Sequence, residues 1–318
     1  MVVLKNSTIQ RHKTGSTLRI KPKPRPKPNK PVHSVPSVPQ IQQNIQQVIE
    51  RVPPIDNNKK ALLIGINYVG TNAELRGCIN DIINMKNNLI ANYGFDESNI
   101  ILLTETSSSK KPTKNNIIKY INKLVENNNA NSHLVFHYSG HGTSVADKNN
   151  DEKDGKDEAI CPLDYSTSGM ITDDTLRDLL VSPLVSGAKL MCIFDSCHSG
   201  TVLDLKFTYK VNANAQDNLS KYYIANDPAY TIPKGIVTVF SGCLDTQTSA
   251  DSFEEGSAQG ALTYCFLKTL ALLRKNNKQY TIKKVIKNLT LLMKEKKYSQ
   301  IPQISTSYMS DLETICSF

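Results

Sequence analysis

Two short runs end in residues that could do chemistry together. One is Phe136-His-Tyr-Ser-Gly-His-Gly142 and the other is Phe194-Asp-Ser-Cys-His-Ser-Gly200. His141 and Cys197 are the reactive members. A free thiol is mostly protonated at neutral pH, so a nucleophilic cysteine needs a base beside it. An imidazole can take the thiol proton and later return it to a leaving amine. The glycines around His141 let the backbone turn tightly and come close to a substrate. The amides of Gly142 and Cys197 are the candidate oxyanion donors, each typically worth about 3 kcal/mol in such a site. His198 is a competing base, although adjacent residues usually point in different directions. The Cys and His spacings match no zinc pattern.

These residues need strands to carry them. Both runs begin as short apolar segments, His133–Tyr138 and Lys189–Phe194. Similar segments occur at Ala61–Asn67, Asn99–Thr104, Gly235–Ser241 and Gln303–Ser307, with a shorter run at Ala159–Leu163. Helical periodicity runs over Ala73–Tyr93 with Gly94 as its stop, and from Thr113 to Glu126 with Thr113 as its cap. Further helices are expected over Thr172–Val181, Gly260–Lys275 and Ile282–Lys297. Alternating strands and helices predict an α/β fold with a mainly parallel six-stranded sheet between helices. In such a sheet the carboxyl ends of the strands form the ligand crevice. If the two motif-bearing strands are neighbours, Cys197 and His141 face each other there.

Charge and composition set the boundaries. The chain has 318 residues and a net charge of +9. Residues 1–58 hold ten Lys or Arg against two acids, so +8 of the total lies there. The same stretch holds nine of the fifteen prolines and no aromatic residue. It reads as a disordered, basic, Pro-rich extension, with Lys21–Pro28 extended. The body, 59–318, divides into a larger part 59–203, a linker 204–234 and a smaller part 235–318. Because the body is nearly neutral, nucleic acid is not an expected partner, and binding through the tail would be weak and salt-sensitive. Seven cysteines with no C-x-x-C favour reduced thiols. No apolar run is long enough for a membrane span, and no secretory h-region opens the chain, so a cytoplasmic monomer is the expectation.

Several motifs in order resemble the metacaspases, in the type I arrangement. They are Leu75-Arg-Gly-Cys-Ile-Asn-Asp81, Tyr138–Gly142, Gly155-Lys-Asp-Glu158, Ile171-Thr-Asp-Asp174, Asp195–Gly200, Ser241-Gly-Cys243, Gln247-Thr-Ser-Ala-Asp251 and Gly260-Ala-Leu-Thr-Tyr264. The resemblance implies a caspase-like fold and a cysteine endopeptidase that cleaves peptides or proteins after Arg or Lys. It implies a substrate pocket of Cys78, Asp81, Ser139 and Asp195, where carboxylates would pair a basic side chain. It also implies activation by calcium, with Asp157, Asp173, Asp174 and Asp204 as ligands, a donor set that suits a hard cation. Self-processing is a further expectation, at Lys206, Lys210, Lys221 or Lys234 in the linker, or at Arg51, Lys59 or Lys60 near the boundary of the extension, all basic and expected to be exposed. The alternatives are another caspase-like specificity, or a pseudoprotease scaffold acting through its Pro-rich tail.

Overall fold

The apolar runs do become strands, and their alternation shows why each is apolar throughout. In a strand, successive side chains point to opposite faces. Leu63, Val135, Met191, Ile193 and Phe240 enter one buried cluster. Leu62, Ile64, Leu134, Phe136, Leu190, Cys192 and Phe194 enter another on the opposite face. A strand buried on both sides has no polar face to show. Each fully buried Leu, Ile or Phe side chain contributes about 1.5–3 kcal/mol.

The computed structural model describes residues 56–146, 155–197, 202–211, 219–222, 231–242, 251–254, 257–276 and 279–318. The first half holds β1 (Lys59–Gly65), α1 (Cys78–Tyr93), β2 (Ile100–Thr104), α2 (Lys114–Val125) and β3 (His133–Ser139). Then come β4 (Gly142–Ala146), β5 (Lys156–Ile160), α3 (Tyr165–Ser168), β6 (Ile171–Thr172), α4 (Asp173–Leu180) and β7 (Lys189–Asp195). The remainder holds β8 (Phe207–Val211), β9 (Leu219–Tyr222), β10 (Ile236–Ser241), β11 (Asp251–Glu254), β12 (Ser257–Gly260), α5 (Ala261–Asn276), α6 (Ile282–Glu295) and β13 (Gln303–Thr306).

The main sheet has the order β2-β1-β3-β7-β10-β13-β8-β9. Strands β2 through β10 pair in parallel, while β13, β8 and β9 are antiparallel to their neighbours. The six expected strands form its first six positions. The hairpin β8–β9 extends it to eight, where the sequence predicted only a linker. That hairpin lies in a stretch without strong periodicity, so its pairing to β13 had no signal of its own. Helices α1, α5 and α6 cover one face, and α2 and α4 the other. The α/β sandwich therefore stands as expected.

Helix ends follow local chemistry. Thr113, Thr172 and Thr281 each accept a hydrogen bond from an amide in the first turn of α2, α4 and α6. Such caps are worth about 1 kcal/mol. Gly94 ends α1 at φ 69°, the left-handed position that favours glycine. Helix α1 begins at Cys78, later than the periodicity from Ala73 suggested. Ala73–Gly77 instead lie outside the helix, and the Ala73 carbonyl meets the His141 ring. A small antiparallel sheet, β4-β5-β6, was not foreseen beyond the run at 159–163. The basic extension lies outside the described residues. Among the described residues, no helix is long and apolar enough to cross a membrane.

Candidate active site

Strands β3 and β7 are parallel neighbours, and their register pairs Ser139 with Asp195. His141 and Cys197 each follow two residues beyond that pair. The two strand ends therefore deliver the imidazole and the thiol to one crevice. A Cβ built on Gly142 would lie 2.0 Å from the Cys197 carbonyl oxygen. The residue after His141 thus packs directly on the main chain of Cys197, and only glycine allows that approach. Cys197 is partly exposed, whereas Cys78, Cys161, Cys192, Cys265 and Cys316 are buried. The rival base His198 lies outside the described residues, as does Cys243.

The imidazole is oriented from several sides. Its Nε2 lies 2.7 Å from the Ala73 carbonyl oxygen. A carbonyl only accepts, so Nε2 carries the proton in the neutral ring and Nδ1 is left with a lone pair. That nitrogen can take the proton of a thiol. Below the ring, Tyr138 donates its hydroxyl to the His141 carbonyl at 2.7 Å, and the His141 amide donates to the Tyr68 hydroxyl at 3.1 Å. Tyr68 in turn donates to the Cys161 carbonyl at 2.6 Å, and the Cys161 amide donates to the His141 carbonyl at 3.0 Å. Burial holds both phenols well above the usual tyrosine range, so they remain donors. Burial, followed by the nearby Cys197 charge, pushes the Cys161 thiol up to about 11. Sequence reasoning missed Ala73, Tyr68, Tyr138 and Cys161. The usable signal was that β1 also ends here, at Gly65 paired with Ser139, three residues before Tyr68.

Three of the four expected pocket residues, Asp81, Ser139 and Asp195, meet on the α1 and α5 side of the same strand ends, and Cys78 opens α1. Ser139 donates to Asp81 Oδ2 at 2.6 Å. Asp81 also accepts from the Gly260 amide, at 2.9 and 3.1 Å to its two oxygens. Asp195 Oδ2 accepts from the Thr263 amide at 2.8 Å, in the first turn of α5. Both carboxylates approach Gly260: a Cβ there would lie 2.2 Å from Asp195 Oδ2 and 2.7 Å from Asp81 Oδ2. Cys78, Asp81, Ser139 and Asp195 are all buried. Two carboxylates are thus held together by amide and hydroxyl donors, an arrangement with acceptor capacity for a cationic guest.

The acidic residues of the third group also meet. Ligand atoms of Asp157, Asp173 and Asp174 lie within 4.8 Å of one another. Asp204 reaches them through its charge: burial first, then Asp204, pushes the Asp173 carboxyl up to about 9. Asp173 accepts from the amides of Glu158 at 2.7 Å and Asp174 at 2.8 Å. Arg177, one turn along α4, donates to the carbonyls of Leu203 at 3.0 Å and Asp204 at 2.7 Å. A cluster of hard oxygen donors whose charges oppose one another fits a hard divalent cation.

The expected processing positions separate into two groups. Lys59 and Lys60 are only partly exposed and sit inside the β1–β3 ladder, so the expectation that they are freely exposed is corrected. Lys210 and Lys221 lie in the β13–β8–β9 ladders. Lys206 and Lys234 lie outside strands, and Lys234 is exposed.

Comparison with known proteins places the chain in a family. The family model described as metacaspase, peptidase C14 domain, matches residues 59–206. Metacaspase-1 of Eremothecium gossypii is 37% identical over 299 residues, covering 80% of this chain and 65% of that protein. The chain therefore spans about two thirds of that relative's length. Metacaspase-1 of Scheffersomyces stipitis is 38% identical over 294 residues, covering 80% of this chain and 72% of that protein. Among solved structures, protein GSU0716 from Geobacter sulfurreducens superposes with a TM-score of 0.55 at 25% identity, covering 80% of this chain and 96% of that one. By sequence, the chain belongs to the metacaspases, a family of cysteine-type peptidases in the peptidase C14 group.

Proposed function

We propose that the chain is a cysteine endopeptidase that cleaves after Arg or Lys, is activated by calcium and processes itself. The observation that carries the reading is the register of β3 and β7, which sends His141 and Cys197 past the same pair of strand ends. In the reaction, His141 Nδ1 takes the Cys197 thiol proton and the thiolate attacks the scissile carbonyl. The oxyanion forms beside the Gly142 and Cys197 main chains, where donors would stabilise it. The imidazolium then protonates the leaving amine, giving a thioester. Water, deprotonated by His141, hydrolyses the thioester and restores the thiol.

The Arg or Lys preference rests on the Asp81–Asp195 pair. A guanidinium or ammonium placed between two held carboxylates gains charge-assisted hydrogen bonds that a neutral or acidic side chain cannot make. For calcium, Asp157, Asp173, Asp174 and Asp204 would hold the ion. Bound there, it would neutralise crowded carboxylates and tie the 203–204 loop to α4, which Arg177 already links. For self-processing, Lys206 and Lys234 are favoured because a bond in a paired strand cannot extend into a protease cleft.

Fluorogenic peptides ending in Arg, Lys, Asp or Asn test the whole reading, with and without calcium. Hydrolysis of the Arg and Lys peptides by wild type, lost in Cys197→Ala and His141→Ala, is expected. Cleavage confined to the Asp peptide would remove the pocket assignment. Wild-type chains should fragment while Cys197→Ala stays intact, and Lys234→Gln or Lys206→Gln should delete single fragments. The same fragments in Cys197→Ala would end the self-processing proposal.

A further inference from the structure

The ring of Tyr68 lies against the imidazole of His141, with centroids 4.7 Å apart and planes inclined at 39°. Tyr68 also has φ 52°, in the left-handed region. A bulky side chain there is a true outlier. Such strain persists only where the surroundings over-determine it, and it clusters at functional sites. The surroundings here do so. Tyr68 is 1% exposed. Its hydroxyl is spent between the Cys161 carbonyl and the His141 amide, and it lies 3.1 Å from the Tyr138 hydroxyl. Tyr165 packs edge-on at 6.3 Å. The strained conformation aims an aromatic ring at the side chain that must become a cation.

We infer that Tyr68 is a positioning residue for His141: its ring holds the imidazole and stabilises the imidazolium, while its hydroxyl fixes the main chain beneath. The inference rests on the reading of His141 and Cys197 as an acid–base pair. A cation within about 6 Å of an aromatic centroid is attracted by the ring's quadrupole. When the Cys197 proton moves to Nδ1, the positive charge appears beside the Tyr68 ring. The ring forms no bond; it lowers the energy of the thiolate–imidazolium pair. The titratable groups whose charges reach this tyrosine pair are Cys78 and Cys161, and Cys197 reaches Cys161.

The test replaces Tyr68 with phenylalanine and then with 3,5-difluoro- and 3,4,5-trifluorophenylalanine, which keep the shape and drain the ring's electrons. Two readouts follow, the pH dependence of Cys197 alkylation by iodoacetamide and the steady-state kinetics on an Arg peptide. Phenylalanine, which lacks the hydroxyl's bonds to the His141 amide and the Cys161 carbonyl, sets the reference midpoint and kcat of the series and should show a lower Tm than wild type. Fluorination should raise that midpoint stepwise and lower kcat by about three- to tenfold, with KM unchanged within about twofold. If Tyr68→Phe does not fold, 3,5-difluorotyrosine retains the hydroxyl and gives the same comparison. A midpoint and kcat that ignore fluorination, in an active protein, would overturn the inference and leave the peptidase reading intact. An alkylation profile identical in wild type and His141→Ala would overturn both.

Discussion

At the scale of single residues, the site depends on one approach that no other side chain permits. The Cβ of an alanine at position 142 would sit 2.0 Å from the Cys197 carbonyl oxygen and 3.1 Å from its carbon. Those are backbone atoms of Cys197 itself, so relief requires moving Cys197 relative to His141. A displacement near 1 Å costs on the order of 100-fold in a positioned reaction. Gly142→Ala should therefore lose about that much kcat on Arg peptides while its circular dichroism spectrum and Tm stay close to wild type. Retained kcat would mean that Gly142 contributes nothing to placing the pair. The sequence made His141, Gly142 and Cys197 legible because reactive residue types stood at the ends of apolar runs. Tyr68 and the Ala73 carbonyl were not legible in the same way. A backbone oxygen has no residue type to announce it, and a tyrosine three residues past a strand looks like any loop aromatic. Their roles depend on tertiary placement alone.

At the scale of elements, strand and helix legibility followed burial. Strands buried on both faces, such as β3 and β7, announced themselves as continuous apolar runs. The hairpin β8–β9 lies at the end of the sheet, where among the described residues β9 pairs on one side alone, and its sequence carries Lys210, Lys221 and Ser220. Mixed polarity there hid two strands. The contact between β3 and α5 makes a testable claim about stability. His137 is fully buried between them, its Nε2 3.1 Å from Thr263 Oγ1. Burial pushes its imidazole down to about 3. In the unfolded chain the same group protonates near 6.5. The unfolded state therefore binds the proton first as pH falls, and the folded state cannot follow until about pH 3. Stability from this residue is complete above about pH 6.5 and is lost as pH falls towards 3, at about 1.4 kcal/mol per pH unit. His137→Phe, close in volume, should flatten that part of the Tm-against-pH curve between pH 6 and 4. Its loss of the Thr263 contact lowers Tm uniformly by a smaller amount. Curves of equal slope for wild type and variant would show that His137 does not supply the acid sensitivity.

For the whole molecule, the acidic cluster joins pieces that are far apart in the chain. Asp157 belongs to β5, Asp173 and Asp174 open α4, and Asp204 lies just ahead of β8 with φ 45°. Helix α4 thereby links the small sheet beside His141 to the segment that follows Cys197. Without a cation this junction works against folding as pH rises. The Asp173 carboxyl is held up to about 9, first by burial and then by the Asp204 charge. A carboxyl raised in the folded state adds stability below the unfolded value near 4 and loses it as pH rises through about 9. At pH 8 the folded, metal-free wild type must therefore hold a proton on Asp173 that the unfolded chain has given up, and removing the ionisable group should relieve that cost. Asp173→Asn keeps an oxygen to accept from the Glu158 or Asp174 amide and has no such proton to hold, so its Tm in a chelator should equal or exceed that of wild type. Saturating calcium reverses the order. An ion present at 100 times its dissociation constant stabilises by about 2.7 kcal/mol. For a body of this size that corresponds to a rise of roughly 5–10 °C in wild type. The variant, lacking one ligand charge, should rise far less. Thermal unfolding of both proteins, in chelator and in calcium at pH 8, therefore gives two lines that cross. Parallel shifts in wild type and Asp173→Asn would place calcium binding elsewhere, and no shift in either would remove calcium from the account of this cluster.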